Sequence, residues 1–102
     1  MTAMRGQVFR VDLGHGAKPW VVVSNNARNR NLDTVLALRI TTTSKNAQVP
    51  TVVALDAGDP VTGYVLADDI VQLYRDEMTH PLGALTPGTM QRISQALRIV
   101  LP

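Results

Sequence analysis

The chain has 102 residues, 10 Lys and Arg against 8 Asp and Glu for a formal charge of +2, 45% hydrophobic residues and no cysteine. That length implies one domain over residues 1–102 with a modest core, of the size that buries roughly 60–68% of its unfolded surface. The missing cysteines exclude a disulfide framework and thiolate metal sites, no apolar run is long enough for a bilayer, the stretch Met1–Val8 lacks a signal core, and so small a charge says little by itself about nucleic acid.

These features lead us to expect a cytoplasmic protein with no membrane association. Only Phe9, Trp20, Tyr64 and Tyr74 are aromatic, so the core must come from Val, Leu, Ile, Ala and Met. A small core makes a homodimer attractive, because an interface extends the buried apolar area.

Along the chain, Gln7–Leu13 alternates, with Phe9, Val11 and Leu13 on one face and Arg10 and Asp12 on the other, as in a half-buried strand. Gly14–Pro19 reads as a loop. Trp20–Ser24 is a continuous β-branched run and reads as a central strand. Asn25–Asn31 is a polar excursion. Val35–Thr42 is the most informative strand: Leu36, Leu38 and Ile40 share one face, while Arg39 and Thr41 are neighbours on the other. Thr43–Gln48 reads as a polar loop. Val49–Leu55 reads as a strand with Pro50 at its start or at an edge, followed by a turn at Asp56–Pro60. Gly63–Ala67 is a strand, Asp68-Asp69 a solvated turn, and Ile70–Tyr74 either a strand or a helical turn. Pro81–Leu85 suits a last short strand. Thr86 as N-cap and Pro87 at the first helical position then open an amphipathic helix marked by Met90, Ile93, Leu97 and Val100. Five or six short strands without long crossovers, closed by one helix, predict a mainly β (α+β) fold: a strongly bent antiparallel sheet or small barrel with a C-terminal helix.

Several chemistries find no support. There is no Cys nucleophile, and His15 and His80 are not at metal-ligand spacing. Asp68 and Asp69, adjacent in sequence, should point to opposite faces rather than share a metal. Ser24 and Ser94 have no triad partners. No metal site and no cofactor are expected. What remains is a polar set around two loops: His15, Lys18, Asn25, Asn26, Arg28, Arg39, Thr41, Thr42, Thr43 and Lys45. If the Trp20 strand pairs with the Arg39 strand, both loops open at one end of the sheet. Cations, hydroxyls and amides suit a phosphodiester backbone and base edges. On composition alone, ordinary loop and strand-face residues are the preferred reading.

Four segments in order carry a more specific signal. Arg5-Gly6-Gln7-Val8-Phe9 with Asp12-Leu13, then Lys18-Pro19-Trp20-Val21-Val22-Val23-Ser24-Asn25, then Ile40-Thr41-Thr42-Thr43, then Val49-Pro50-Thr51 together resemble the MazF/PemK family of toxins. Tyr64–Ile70, and Leu82-Gly83 leading into a capped helix, continue the likeness over nearly the whole chain. The resemblance implies a small SH3-like barrel, a homodimer, and neutralisation by a MazE-like antitoxin that is acidic and partly disordered, with the loops Gly14–Lys18 and Thr43–Gln48 as its target. It also implies sequence-specific, metal-independent cleavage of single-stranded RNA to 2′,3′-cyclic phosphate and 5′-hydroxyl ends, inhibiting translation and growth. The family's catalytic arginine, just before the proline of the second strand, falls on Lys18, and its catalytic threonine on Thr41. Lysine keeps the charge but loses the bidentate fork of arginine; Arg28 or Arg39 is a candidate to supply it. His15, Asn25, Asn26, Arg28, Arg39, Thr42, Thr43 and Lys45 are the expected RNA-binding residues, with His15 also a conceivable proton acceptor.

Two other readings compete. One is a non-catalytic toxin on the same barrel that binds and poisons DNA gyrase, as CcdB-like proteins do; those carry a C-terminal Trp-Gly-Ile, whereas this chain ends Arg98-Ile-Val-Leu-Pro102. The other is a catalytically decayed RNA-binding barrel.

Overall fold

A computed structural model describes residues 3–102; Met1 and Thr2, the start of the stretch read as lacking a signal core, lie outside the described residues. Six strands form one antiparallel sheet: β1 (Gln7–Asp12), β2 (Ala17–Val22), β3 (Thr34–Thr41), β4 (Val52–Ala54), β5 (Tyr64–Tyr74) and β6 (His80–Ala84). Their spatial order is β4-β5-β3-β2-β1-β6, so β4 and β6 are edges and the bent sheet stays unclosed. Two helices, α1 (Asn26–Asn31) and α2 (Pro87–Val100), and a 3₁₀ turn at Arg75–Glu77 complete it. The mainly β architecture with a C-terminal helix is the one expected. None of the described helices is long and apolar enough to cross a membrane.

Period-two alternation lets the sheet bury both faces. Val8, Val21, Leu38, Ile40, Val65 and Ala67 pack on one face with Met90, Ile93 and Ala96 of α2. Phe9, Val11, Trp20, Val22, Val35, Ala37 and Leu73 form a second cluster on the other face. β1 is thus buried on both sides at Val8 and Phe9 rather than half-buried. α2 begins as its residues dictate: the Thr86 side chain caps the Thr89 N–H and Pro87 follows, satisfying a donor that the first turn leaves free.

Four local expectations change. Lys18 and Pro19 lie on β2, not in the preceding loop, because main-chain pairing of Val11 with Lys18 and Asp12 with Ala17 continues past the glycines. The polar excursion at Asn25 is a helix: the Asn25 side chain accepts from the Arg28 N–H and caps it. The strand expected over Val49–Leu55 shrinks to Val52–Ala54, because Val49–Thr51 turns first. Tyr64–Tyr74 is one strand with a bulge, and Asp68-Asp69 is part of it rather than a turn: Leu38 pairs with Ile70 but Arg39 with Leu66, leaving Ala67, Asp68 and Asp69 unmatched.

Candidate active site at the end of β2 and β3

The pairing that the site needed is present. Trp20 lies opposite Arg39 in the β2–β3 ladder, with Val21 opposite Leu38 and Val22 opposite Ala37. Lys18 precedes Trp20 by two residues and Thr41 follows Arg39 by two, so alternation puts all four on one face and Lys18 beside Thr41 at the same end of the strand pair. Lys18 and Thr41 line a pocket of about 150 Å³ with Pro19, Arg39, Ile40, Thr42 and Thr62.

Backbone geometry holds Thr41 in place. Thr41 pairs with Tyr64 on β5. Gly63, just before it, has φ of +124°, and a Cβ there would collide with the Thr41 carbonyl; only glycine combines that φ with so close an approach. The Thr41 hydroxyl oxygen accepts from the Thr43 N–H at 3.3 Å, which leaves its own hydrogen available to donate. On the other strand, Asp12 folds the preceding loop: its Oδ1 accepts from the N–H groups of Gly14 (2.8 Å) and Gly16 (3.2 Å), and both glycines adopt positive φ. This turn delivers the chain to Lys18.

Lys18 and Arg39 are half-buried, and neither forms an ion pair among the described residues, where Arg92 with Asp56 at 3.2 Å is the one such bridge. Two cations and a hydroxyl donor thus converge on one small pocket. Cations and a hydroxyl donor so placed have the chemistry to hold an anion. Lys18 and Arg39 also line a second, neighbouring pocket of about 200 Å³ with Val11, Leu13, His15, Gly16, Trp20 and Asp69.

The ten residues singled out from sequence therefore divide. His15, Lys18, Arg39, Thr41 and Thr42 come together on the walls of these two pockets. Thr43 and Lys45 stand exposed on the loop just beyond Thr41. Asn25, Asn26 and Arg28 do not join them. β2 and β3 are antiparallel, so the Gly14–Lys18 and Thr43–Gln48 loops open at one end as expected, while α1, which connects the two strands, caps the other end and takes Asn25, Asn26 and Arg28 with it. These side chains serve the fold: Asn25 caps α1, Asn26 accepts from the Arg5 N–H at 2.7 Å, and Arg28 donates to the Thr34 carbonyl at 2.8 Å and its hydroxyl at 3.3 Å. Arg28 is thus too far along the strands to supply the fork that Lys18 lacks, whereas Arg39 is beside it. Sequence reasoning passed over Trp20, taken as core, and Asp69, taken as a solvated turn. The signal was cross-strand: the chain's single Trp sits directly opposite the one charged residue of β3. No group of three or more His, Asp or Glu is placed to hold a metal ion among the described residues.

Comparison with known proteins bears on this site. Residues 4–101 match a family described as PemK-like, MazF-like toxin of type II toxin–antitoxin system. The chain is 54% identical over 98 residues to Endoribonuclease MazF4 of Mycobacterium tuberculosis, covering 96% of this chain and 91% of that protein. It superposes with a TM-score of 0.92 on a mycobacterial endoribonuclease solved in complex with its cognate antitoxin, at 53% identity and 98% and 97% coverage of the two chains. A MazE–MazF structure from Deinococcus radiodurans, at 24% identity, shares the fold with a TM-score of 0.83 over 99% of this chain and 96% of that one.

Proposed function

The chain belongs to the PemK-like, MazF-like toxins of type II toxin–antitoxin systems, and on that premise we propose that it cleaves single-stranded RNA at short sequences, through Lys18 and Thr41 and without a metal ion. The observation that carries this reading is the pocket in which Lys18, Arg39 and Thr41 meet, with neither cation in an ion pair among the described residues.

The chemistry uses the substrate's own nucleophile. The ribose 2′-oxygen attacks the adjacent phosphorus as its proton leaves, the bond from phosphorus to the 5′-oxygen breaks, and the 5′-oxygen takes up a proton. The products are a 2′,3′-cyclic phosphate and a 5′-hydroxyl, and no water needs activation before the bond breaks. The protein's tasks are proton transfer and stabilisation of the charged phosphoryl oxygens. Thr41 donates its hydroxyl hydrogen to one such oxygen. Lys18 supplies charge, and Arg39 the planar fork that lysine lacks. His15, which lines the adjoining pocket with Lys18 and Arg39, is the residue we assign as proton acceptor. Thr42, Thr43 and Lys45 extend the polar track along which the strand runs.

By the same reading the protein acts in the cytoplasm as a homodimeric, mRNA interferase-type toxin that inhibits translation and growth, and a cognate antitoxin silences it by covering the Gly14–Lys18 and Thr43–Gln48 loops. The mycobacterial relative solved with its antitoxin supports that partner. Mapping RNA 5′ ends after incubation with the purified protein, with and without EDTA, tests the chemistry. The expected result is a recurrent sequence at the cut, 5′-hydroxyl ends, and equal cleavage in EDTA. Cleavage abolished by EDTA and restored by magnesium overturns the metal-free mechanism.

A further inference from the structure

We propose that Asp68 is a positioning residue for RNA cleavage: by holding Thr51 it fixes the far end of the loop over residues 43–50, and so aims Lys45 at the strand bound beside Lys18 and Thr41. This rests on the reading of that pocket as the place where RNA is cut.

The loop is weakly braced along its length. Its main chain makes only a run of turns, with the Ala47 N–H donating to the Ser44 carbonyl at 3.1 Å, the Val49 N–H to Asn46 at 3.0 Å and the Val52 N–H to Val49 at 2.9 Å. Residues 42–46 are exposed. A hollow of about 410 Å³ is lined by Ala47 and Pro50 on one side and by Gln95, Ala96 and Ile99 of α2 on the other, so packing against the helix is incomplete there. Among the described residues, the hydrogen bonds that tie the loop to the sheet lie at its two ends, and each uses a threonine hydroxyl. At the near end the Thr43 N–H donates to the hydroxyl of Thr41 at 3.3 Å. At the far end the Thr51 hydroxyl donates to Asp68 Oδ2 at 2.5 Å.

The β5 bulge builds the far tie. Ala67, Asp68 and Asp69 have no partner on β3, and bulges commonly re-aim side chains beside a site. Here each of the three takes a separate task. The Ala67 N–H donates to the Thr51 carbonyl at 2.9 Å, Asp68 takes the Thr51 hydroxyl, and Asp69 lines the pocket that holds Lys18 and Arg39. One bond leaves a residue free to turn about it. Two bonds, from neighbouring residues, set the orientation of Thr51 and with it the direction of Pro50 and the chain before it. Thr51 is 8% exposed, so its hydroxyl depends on a protein acceptor rather than on bulk water. Asp68 is exposed, so accepting this bond costs the carboxylate little desolvation. A loop held in this way loses less freedom when RNA orders it, which strengthens binding without touching the chemical step.

The test compares wild type with Asp68→Ala, Asp68→Asn and Thr51→Val on a long in vitro RNA transcript, following one mapped cut over a range of salt concentrations. Asp68→Ala and Thr51→Val should each raise KM by about tenfold, roughly the worth of one hydrogen bond to a charged group, and leave kcat nearly as it was. Asp68→Asn keeps an acceptor for the Thr51 hydroxyl and should restore KM. The slope of log KM against log salt should fall by ~0.7 in Asp68→Ala, the share of one phosphate contact on a single strand. Lys45→Ala should show the same fall, and Lys45→Ala added to Asp68→Ala should lower the slope no further, because the two act through one contact. KM unchanged in both Asp68→Ala and Thr51→Val overturns the proposal. So does an impaired Asp68→Asn beside a normal Thr51→Val, since the carboxylate would then meet RNA itself. Hydrogen exchange of the amides over residues 43–50, measured without RNA, separates this role from the catalytic reading. If RNA is cut but those amides exchange no faster in Asp68→Ala, the catalytic reading stands and the positioning role falls. If wild type cuts no RNA, the catalytic reading falls and takes the positioning role with it, whatever the exchange shows.

Discussion

The two ends of the β2–β3 strand pair are built from similar residues and treat them in opposite ways. At the α1 end, Ser24 and Asn29 are buried and fully engaged: the Ser24 hydroxyl donates to Asn29 Oδ1 at 2.5 Å and accepts from the Leu36 N–H at 3.0 Å, and Asn29 Nδ2 donates to the Ser24 carbonyl at 2.9 Å. Arg28 and Arg75 bind main-chain carbonyls of Thr34, Asn29 and Leu32. At the other end, among the described residues, Lys18 and Arg39 form no ion pair, and the Arg39 Nε and Trp20 Nε1 have no hydrogen-bond partner. Folding alone rewards the first arrangement. The second costs stability, so it points to a ligand, and the contrast says which polar cluster is scaffold and which is site.

The sharpest way to break this comparison is to mutate each end and measure both rate and stability. Removing a donor aimed at developing charge costs ~10²–10³ in rate. Thr41→Ala and Lys18→Ala should each lose about that much cleavage, with a change in unfolding free energy of at most ~1 kcal/mol, since the one structural hydrogen bond lost is the one that the Thr41 hydroxyl accepts from the exposed Thr43 N–H. Near-normal cleavage by Lys18→Ala would remove Lys18 from the mechanism and turn attention to Arg39 and His15. Lys18→Arg sharpens the same test. A purely electrostatic role predicts preserved or improved cleavage, while a role in moving the proton predicts slower cleavage and a shifted pH profile, because arginine stays protonated throughout.

The opposite end should show the mirror image. Ser24→Ala leaves the Leu36 N–H and the Asn29 amide carbonyl without their partner, and an orphaned buried group costs ~1–3 kcal/mol. Urea unfolding should register a loss of that order, with cleavage per folded molecule unchanged. A Ser24→Ala protein as stable as the parent would show that this network is not what holds the α1 end together.

Legibility from sequence followed the same division. The alternation of Val35–Thr42, the β-branched run after Trp20 and the Thr86-Pro87 helix start are local patterns, and the elements they announced are present. Lys18 and Thr41 could be placed together because strand alternation and a single pairing assumption suffice. The α1 residues misled because asparagine and arginine look the same whether they cap a helix or contact a ligand; only tertiary pairing shows that Asn25 and Asn26 are already engaged. The β5 bulge was hidden because Asp68-Asp69 carries a turn-like composition, and its register depends on β3, roughly 30 residues earlier. That Trp20 and Asp69 line the pocket beside Lys18 became visible only when cross-strand neighbours were known.

A third polar cluster, at the start of α2, is engaged like the α1 end, and it gives the smallest expected effect. Asp59 accepts from the N–H groups of Thr86 (2.8 Å) and Asp56 (2.7 Å) and from the Thr89 hydroxyl (2.7 Å). Burial pushes its carboxyl pKa up, but the two main-chain N–H groups and the threonine hydroxyls outweigh that, and the net pKa is lowered. A carboxylate whose folded pKa lies below its unfolded value near ~3.9 contributes stability above that value and loses it as pH falls through the folded pKa. Wild-type stability should therefore fall more steeply below about pH 4 than that of Asp59→Asn, the difference between the two curves isolating this carboxylate from the other acids. Thr62, three residues beyond Asp59, lines the pocket of Lys18 and Thr41. If Asp59 only anchors the helix cap, Asp59→Asn at pH 7 should lower the unfolding midpoint and leave the cleavage rate alone. A reduced rate in folded protein would mean instead that the same anchor holds Thr62 at the pocket wall, and that the engaged and unengaged clusters are mechanically joined.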